Sequence, residues 1–156
     1  MVKVLFVCTG NICRSPMAHG VFQDMVNKLG IAEHFEVDSA GTGAWHIGEA
    51  AHRGTLKKLK EHGIPYDSTA RRVTLRDMED YDYVLAMDQS NLRYLRNLGD
   101  AKGEVKMFLH YAKSFGLTNE IEVPDPYYNN RFDEVYDLVE VGSRALIDHI
   151  RAEHDF

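Results

Sequence analysis

The sequence predicts an α/β protein whose parallel sheet is covered by helices on both faces. Short apolar segments rich in β-branched residues recur along the chain, and between them lie longer segments with apolar residues at spacings of three and four. Strands that alternate with helices are joined by crossover connections, which makes neighbouring strands parallel. A length of 156 residues suits one domain with one core, so we expect residues 1–156 to form a single domain.

The first predicted unit is a strand followed by a helix. Residues 3–7 form a short apolar run that is typical of a buried strand. Ser15 and Pro16 are typical of a helix start, with Ser15 as the N-cap and Pro16 at the first helical position. Apolar residues then recur on one face until Gly30, which predicts an amphipathic helix. Residues 8–15, CTGNICRS, therefore lie in the loop between a strand and a helix.

The later elements repeat this alternation. Further strands are predicted at residues 35–39, 83–87 and 104–109, and further helices at residues 50–62, 88–98 and 133–150. The basic cluster of Arg71, Arg72 and Arg76 is interpreted as the solvated start of a helix, because short runs of like charge usually face water.

Composition excludes several classes of protein. A formal net charge of −6 argues against nucleic-acid binding, and no segment approaches the roughly 20 apolar residues of a membrane span. The short apolar run 2–7 lacks the length and the cleavage site of a signal peptide, so we expect a cytoplasmic location. The two cysteines, Cys8 and Cys13, are too close in sequence to cross-link distant parts of a fold, so we expect thiols. The eight histidines form no zinc motif, so we expect no metal.

The loop CTGNICRS has the features of an anion-binding site. Successive backbone N–H groups between a strand and a helix N-terminus can turn toward one point, where the helix dipole adds positive potential. Gly10 and Asn11 tolerate the backbone geometry that such a tight loop needs. Arg14 can then donate two parallel hydrogen bonds to a tetrahedral oxyanion. The pattern favours phosphate.

Cys8 lies at the base of this loop, where the positive potential favours a thiolate facing the phosphorus. A free cysteine is otherwise usually a small buried hydrophobe, but Arg14 and the strand, loop and helix around Cys8 favour a nucleophile. Two interpretations of Cys13 stay open: it packs as a small side chain, or it traps an oxidised Cys8 as a disulfide.

A thiolate that attacks a phosphate ester also needs a proton for the departing oxygen. Residues 123–130, VPDPYYNN, offer Asp125 between two prolines, just before the last predicted helix. A carboxyl there could act as a general acid. Pro-Asp-Pro is also an ordinary turn sequence, and residue types alone favour that interpretation.

Four segments together resemble the low-molecular-weight protein tyrosine phosphatases: VLFVCTGNICRSPMA, DSAGTGAWHIGEAAHRGTLKKLKEHGI, YDYVLAMDQSNL and PDPYYNN. The resemblance covers essentially the whole chain. It implies a three-layer α/β/α fold with a four-stranded parallel sheet in the order 2-1-3-4, flanked by about five helices. It also implies hydrolysis of tyrosine-phosphorylated proteins through a phosphocysteine, with no cofactor, with phosphate or other oxyanions as product or inhibitors, and with a monomer or weak homodimer as the assembly.

The resemblance assigns roles residue by residue. Cys8 corresponds to the nucleophile, Arg14 to the phosphate clamp, and Asp125 to the general acid and base. The phosphate-binding loop would comprise Thr9, Gly10, Asn11, Ile12, Cys13, Arg14 and Ser15. Asn11, Ser15 and Ser39 would support that loop, and Ile12, Trp45, Tyr127 and Tyr128 would form the rim that selects the substrate.

Three positions bear on specificity and on loop support. Trp45 could otherwise be a core anchor. Relatives that act on phosphoarginine carry threonine where this chain has the aliphatic Ile12, which favours phosphotyrosine. Many relatives carry a histidine that joins the hydrogen bonds behind the loop, and this chain has Ser68 there.

Other functions on the same scaffold are distinguishable from the sequence. An arsenate reductase needs further cysteines to relay a disulfide, and none follows Cys13. A non-catalytic phosphotyrosine-binding module should lack Cys8 or Asp125, and both are present. An acyl or small-molecule phosphatase would share the mechanism and differ only at the rim.

Overall fold

A computed structural model describes residues 1–156 and contains one parallel sheet. Its strands are β1 (Val2–Cys8), β2 (Phe35–Gly41), β3 (Tyr83–Ala86) and β4 (Glu104–Met107). They lie in the order β2-β1-β3-β4, and each neighbouring pair is parallel. The predicted α/β class, the parallel pairing and the strand order are confirmed.

Seven α-helices connect and cover the strands. They are α1 (Arg14–Lys28), α2 (Arg53–Glu61), α3 (Leu75–Asp80), α4 (Gln89–Leu98), α5 (His110–Ser114), α6 (Pro126–Asn129) and α7 (Phe132–His154), and a 3₁₀ turn spans Ala32–His34. The count exceeds the expected five or so because three helices have only six, five and four residues. Such helices are too short to show a helical repeat of apolar residues. No helix qualifies as a membrane span.

The central strand β1 supplies both hydrophobic cores. Val4 and Phe6 belong to the larger core, which includes residues of α1, α5 and α7, whereas Leu5 and Val7 belong to the core shared with α3 and α4. Successive side chains of a strand point to opposite faces of the sheet, so β1 is buried on both sides. This burial fixes the position of Cys8, its last residue.

The start of α1 differs from the prediction. The helix begins at Arg14 with Cys13 as its N-cap, and no side chain caps it. The prediction of Ser15 as N-cap is wrong because the Ser15 hydroxyl contacts Cys8 and Asn11 instead.

Other boundaries also differ: β2 ends two residues later than predicted, at Gly41, and α7 ends four residues later, at His154. The helix α2 begins at Arg53 because the side chain of His52 accepts a hydrogen bond from the N–H of Gly54 and caps it. The strand β4 ends at Met107. The two apolar residues that follow it are buried in the larger core, which extended the predicted strand too far.

The environment of the arginine cluster also differs from the prediction. Arg71 donates from Nε to Asp38 at 3.0 Å and from a terminal nitrogen to Asp77 at 2.9 Å, so it is an ion-paired link between β2 and α3. Its interpretation as a solvated residue is therefore wrong. Arg72 is exposed and donates to the carbonyl of Thr42.

The carboxyl ends of β1, β2 and β3 lie at one edge of the sheet. The segment before α6 is joined to this edge, because Val123 N–H donates to the carbonyl of Met87 at 2.9 Å. Cys8 and Asp125, which are 117 positions apart in the sequence by subtraction of their numbers, are thereby brought to the same place.

Candidate active site

A cavity of about 380 Å³ opens above the end of β1. Its lining residues are Cys8, Thr9, Gly10, Ile12, Cys13, Arg14, Trp45, His46, Asp125, Tyr127 and Tyr128. All of them except His46 are predicted site residues. The predicted support residues Asn11, Ser15 and Ser39 are buried beside the loop and do not line the cavity.

The carbonyl groups of the loop are tied to the segment that follows β2. Cys8 C=O accepts from Thr42 N–H at 2.9 Å, and Thr9 C=O accepts from Gly43 N–H at 2.9 Å. In a trans peptide the C=O and the next N–H point in opposite directions. The amides of Thr9 and Gly10 are therefore turned away from this segment.

The C=O of Ile12 likewise accepts from His52 N–H at 2.7 Å, so the amide of Cys13 is also turned away from the segment that its neighbour contacts. Six backbone N–H groups of the loop and the first turn of α1 donate to no protein acceptor: those of Thr9, Gly10, Ile12, Cys13, Arg14 and Ser15. Consecutive unpaired amides at a helix N-terminus bind anions, and here they adjoin the cavity.

Asn11 forms the tightest part of the turn. Its backbone is left-handed, with φ of 57°, a conformation that asparagine tolerates better than most residues. Its N–H is directed inward and donates to Cys8 Sγ at 3.3 Å. The sulfur therefore receives a donor from its own loop.

The Asn11 side chain links the loop to three neighbours. Its Nδ2 donates to Ser15 Oγ at 2.8 Å and to Ser39 Oγ at 3.0 Å, while its Oδ1 accepts from Arg71 N–H at 2.9 Å. Arg71 is a support residue that sequence reasoning missed, because a backbone N–H carries no signal in the residue type.

Cys8 is buried and lies against two donors. Ser15 Oγ is 3.0 Å from its sulfur, and Asn11 N–H is the second contact. Both groups can donate a hydrogen bond to a negatively charged sulfur. This environment suits a nucleophile better than a buried apolar side chain.

Arg14 is only 2% exposed and is held by several acceptors. One terminal nitrogen donates to Asp88 Oδ2 at 2.7 Å and to Val123 C=O at 3.0 Å, and the other lies 3.5 Å from Asp125 Oδ2. Its Nε has no acceptor in the protein. Burial opposes the charge, but Cys8, Asp88 and Asp125 together raise the pKa of Arg14.

Asp88 is the second residue that sequence reasoning missed. It caps α4 through Oδ1, which accepts from Asn91 N–H at 2.8 Å, and this leaves Oδ2 for Arg14. Its position just after β3, at the same edge as Cys8, was a usable signal.

The contacts of Asp125 agree both with a turn residue and with a carboxyl group that faces the site. Its Oδ1 accepts from Tyr127 N–H at 3.1 Å and caps α6, as expected of a turn residue. Its Oδ2 faces Arg14, and the residue lines the cavity with Cys8. The cap fixes the carboxyl at the mouth of the cavity.

The rim of the cavity is aromatic and open to solvent. Trp45 is 74% exposed and Tyr128 is 83% exposed, and the rings of Tyr127 and Tyr128 are 5.3 Å apart. The alternative of Trp45 as a core anchor is therefore wrong. His46, which sequence reasoning missed, lies beside this rim with Nδ1 3.0 Å from Glu49 Oε2.

Both cysteines are free thiols, but their surroundings differ. Cys13 packs against Ile12 and Ala70. Burial, and then the nearby Cys8 and Asp125, raise the pKa of Cys13 to about 12, so it is a thiol at neutral pH.

No group of three or more His, Cys, Asp or Glu side chains is arranged to hold a metal ion.

Comparison with known proteins identifies the family. Residues 3–155 match the family described as low molecular weight phosphotyrosine protein phosphatase. The chain belongs to this family. It is 43% identical over 156 residues to the low molecular weight protein-tyrosine-phosphatase YfkJ of Bacillus subtilis, covering 98% of each chain. The family consists of hydrolases that require no metal ion.

Solved structures agree with this assignment. The crystal structure of YfkJ from Bacillus subtilis superposes with a TM-score of 0.93 at 42% identity, covering 98% of this chain and 96% of that one. The crystal structure of drosophila arginine phosphatase gives a TM-score of 0.89 at 28% identity, covering 96% and 98%. The low molecular weight phosphatase fold of this chain therefore occurs in proteins named for different phosphorylated residues.

Proposed function

We propose that this low molecular weight phosphatase hydrolyses phosphotyrosine in proteins, and simpler aryl phosphates, through a phosphocysteine on Cys8. One observation supports this proposal most directly. Around a single cavity lie the Cys8 sulfur with its two hydrogen-bonding neighbours, six backbone amides without a protein acceptor, and the guanidinium of Arg14. Together they supply a nucleophile and a site for a tetrahedral dianion. Substrate proteins and the products phosphate and tyrosine follow from this chemistry.

In the first step, the Cys8 thiolate attacks phosphorus and the bond to the tyrosyl oxygen breaks. Asp125 gives its proton to that oxygen, so tyrosine leaves as the neutral phenol. Arg14 and the loop amides hold the three remaining oxygens, where they stabilise the charge of the transition state. The product is a phosphate bound to Cys8 Sγ.

In the second step, water attacks the phosphorus and the sulfur leaves as a thiolate. Asp125, now a carboxylate, accepts a proton from the water. Ser15 and Asn11 N–H stabilise the departing sulfur, because both are placed to donate to it. Inorganic phosphate is released and the starting state returns.

The rim supports phosphotyrosine over phosphoserine. Trp45, Tyr127 and Tyr128 place exposed rings at the mouth of the cavity, where they can pack against a phenol ring. Cys8 is 2% exposed at the base of the cavity, so the phosphate must reach inward on a long side chain. A phosphoserine is too short for such a site.

Phosphoarginine is the competing substrate, since one structural neighbour is named an arginine phosphatase. Ile12 lines the cavity of this chain, and its apolar side chain favours an aromatic ring over a guanidinium. Arsenate reduction has less support, because the chain has no cysteine besides Cys8 and Cys13.

The test is phosphate release from three matched peptides that carry phosphotyrosine, phosphoserine or phosphoarginine, measured with EDTA at neutral pH against an enzyme-free sample, because the P–N bond of phosphoarginine hydrolyses spontaneously in acid. We expect the phosphotyrosine peptide to be preferred in kcat/KM by at least about 100-fold. A preference for phosphoarginine would contradict the assignment, and no release from any peptide would favour a binding module. Phosphotyrosine-peptide affinity would then be the next measurement.

Mild peroxide is expected to inactivate the enzyme by oxidising Cys8 to a sulfenic acid. We propose that Cys13 condenses with it and releases water, so that thiol restores activity more completely in the parent than in Cys13→Ser. Only the Cys13 thiolate attacks, and its pKa is about 12, so the difference should grow as pH rises through the alkaline range. Equal recovery of both proteins at every pH would contradict this role and leave Cys13 as a packing residue.

Several broader expectations accompany this proposal. We propose that residues 1–156 act as one phosphatase domain, because one sheet and its two cores involve elements from both ends of the chain. A cytoplasmic location, a monomer or weak homodimer and the absence of nucleic-acid partners stay predictions from the sequence.

A further inference from the structure

Tyr66 carries a hydroxyl that the proposed reaction does not use. It lies 3.3 Å from Ser39 Oγ on one side and 3.2 Å from His19 Nδ1 on the other. The Tyr66 and His19 rings meet edge to face, with centroids 5.2 Å apart. Ser68 makes no hydrogen bond to Asn11, Ser15 or Ser39, so it does not itself support the loop.

The contact with Arg71 fixes which atom of the Asn11 side chain donates and which accepts. Arg71 N–H can only donate, so the Asn11 atom facing it is the carbonyl oxygen. The amide nitrogen of Asn11 therefore faces Ser15 and Ser39 and donates to both hydroxyl oxygens. Each serine keeps its own proton for a different neighbour.

The two serine protons then run in opposite directions. The Ser15 proton is available to Cys8 Sγ at 3.0 Å, which is closer than its other acceptor, the carbonyl of Ala40 at 3.4 Å. The Ser39 proton is available to the Tyr66 oxygen. Tyr66 in turn can donate its proton to His19 Nδ1. The Asn11 amide is thus the common donor of two hydrogen-bonded branches. The first branch runs through Ser15 to the Cys8 sulfur, and the second runs through Ser39 and Tyr66 to the His19 imidazole.

Burial keeps the second branch uncharged. It lowers the pKa of His19, against an opposing effect of Asp38, so Nδ1 can act as an acceptor at neutral pH. Burial also raises the pKa of Tyr66 to about 12, against the hydrogen bonds with Ser39 and Ser68, so the phenol retains its proton. The charged groups that act on the two rings are Asp38 and Cys8.

We propose that Tyr66 and His19 are positioning residues for the phosphate loop, and that they act on it through Ser39 and the Asn11 amide. This inference rests on the proposed function of Cys8. Without the Tyr66 hydroxyl, Ser39 has no acceptor for its proton, and the Asn11 amide loses the cooperative strengthening that a connected chain of hydrogen bonds provides. The donation from Asn11 to Ser15, and from Ser15 to the sulfur, then weakens.

The experiment measures alkylation of Cys8 by iodoacetamide from acidic to neutral pH, together with kcat and KM for p-nitrophenyl phosphate. All proteins carry Cys13→Ser, so the alkylation reports Cys8 alone. Tyr66→Phe is compared with Tyr111→Phe, which removes the same atom from a buried tyrosine in α5, in the core around α7. Unfolding midpoints are recorded for each.

We expect Tyr66→Phe to slow alkylation at acidic pH and to lower kcat by about three- to tenfold, with KM little changed, since one partly buried hydrogen bond is lost. Tyr111→Phe should leave alkylation and kcat unchanged. If Tyr66→Phe alters only the unfolding midpoint, or nothing, the positioning role is overturned. A parent without phosphatase activity would overturn the proposed function, while the alkylation series would still test the hydrogen-bonded path.

His19 is tested by a double-variant cycle. His19→Leu should lower kcat in the same direction as Tyr66→Phe, and the double variant should be no worse than Tyr66→Phe alone, because both act through one path. Additive losses would place His19 outside the path and overturn its part of the proposal.

Discussion

Replacing Cys8 with serine is expected to abolish turnover while the protein still binds phosphate. A serine hydroxyl is not ionised at working pH, so the rate should fall by at least about four orders of magnitude. The groups that hold the oxyanion stay in place, because the six amides and Arg14 do not depend on the sulfur. Removal of a negative sulfur from the cavity should leave the affinity for a phosphate dianion equal or higher.

The position of Trp45 makes this binding directly measurable. It is the single tryptophan of the chain and lies at the mouth of the cavity, so its fluorescence reports on the site. Titration of Cys8→Ser with phosphate or tungstate should change that fluorescence with a Kd no weaker than that of the parent. Tyr111→Phe, which alters a buried side chain outside the cavity, is the control, and it should keep both turnover and binding. Turnover by Cys8→Ser would remove Cys8 as the nucleophile.

The parts of the site that were predictable are continuous in sequence or obey the rule of parallel sheets. The buried run of β1, the loop CTGNICRS and the helix after it contain a nucleophile, an anion site and its arginine within a few positions. The carboxyl ends of parallel strands lie at one edge of the sheet, where ligands bind, so the position of this loop at that edge was also predictable. Asp125 was a candidate by residue type and became credible through the family resemblance.

The parts that were not predictable arise from contacts between distant segments. Arg71 supports Asn11 with a backbone N–H across 60 positions, and Tyr66 reaches Ser39 across 27. Neither residue type nor spacing signals such a bond. The Ser15 cap was mispredicted for a related reason, since a serine before a proline is an ordinary N-cap unless a deeper partner, here Cys8, takes its hydroxyl.

Asp125 illustrates how two roles can share one carboxyl group. One oxygen caps α6 and the other faces the cavity, so a single substitution removes both functions. Loss of an N-cap costs about 1 kcal/mol of stability. Loss of a general acid costs rate, and only where the leaving group needs a proton. Two substitutions with different capping ability separate these effects.

Asp125→Asn and Asp125→Ala are both expected to slow hydrolysis of phosphotyrosine and phenyl phosphate by about 10² to 10⁴. Both should act much more weakly on p-nitrophenyl phosphate, whose phenolate leaves without a proton. Asparagine caps helices as well as aspartate does, so Asp125→Asn should unfold like the parent, while Asp125→Ala should be less stable by about 1 kcal/mol. The measurements are unfolding midpoints and kcat/KM across phenols of increasing basicity, because kcat/KM reports only the steps up to departure of the phenol and excludes hydrolysis of the phosphocysteine.

The dependence on the leaving group decides the role of Asp125. If it is the acid, the slope of log kcat/KM against the basicity of the leaving phenol is shallow in the parent and steep in both variants, because charge then builds up on an unprotonated oxygen. Equal losses for good and poor leaving groups would mean that Asp125 acts through Arg14, which its Oδ2 faces at 3.5 Å. Loss in Asp125→Ala alone would mean that the α6 cap, and not proton transfer, is what the reaction requires.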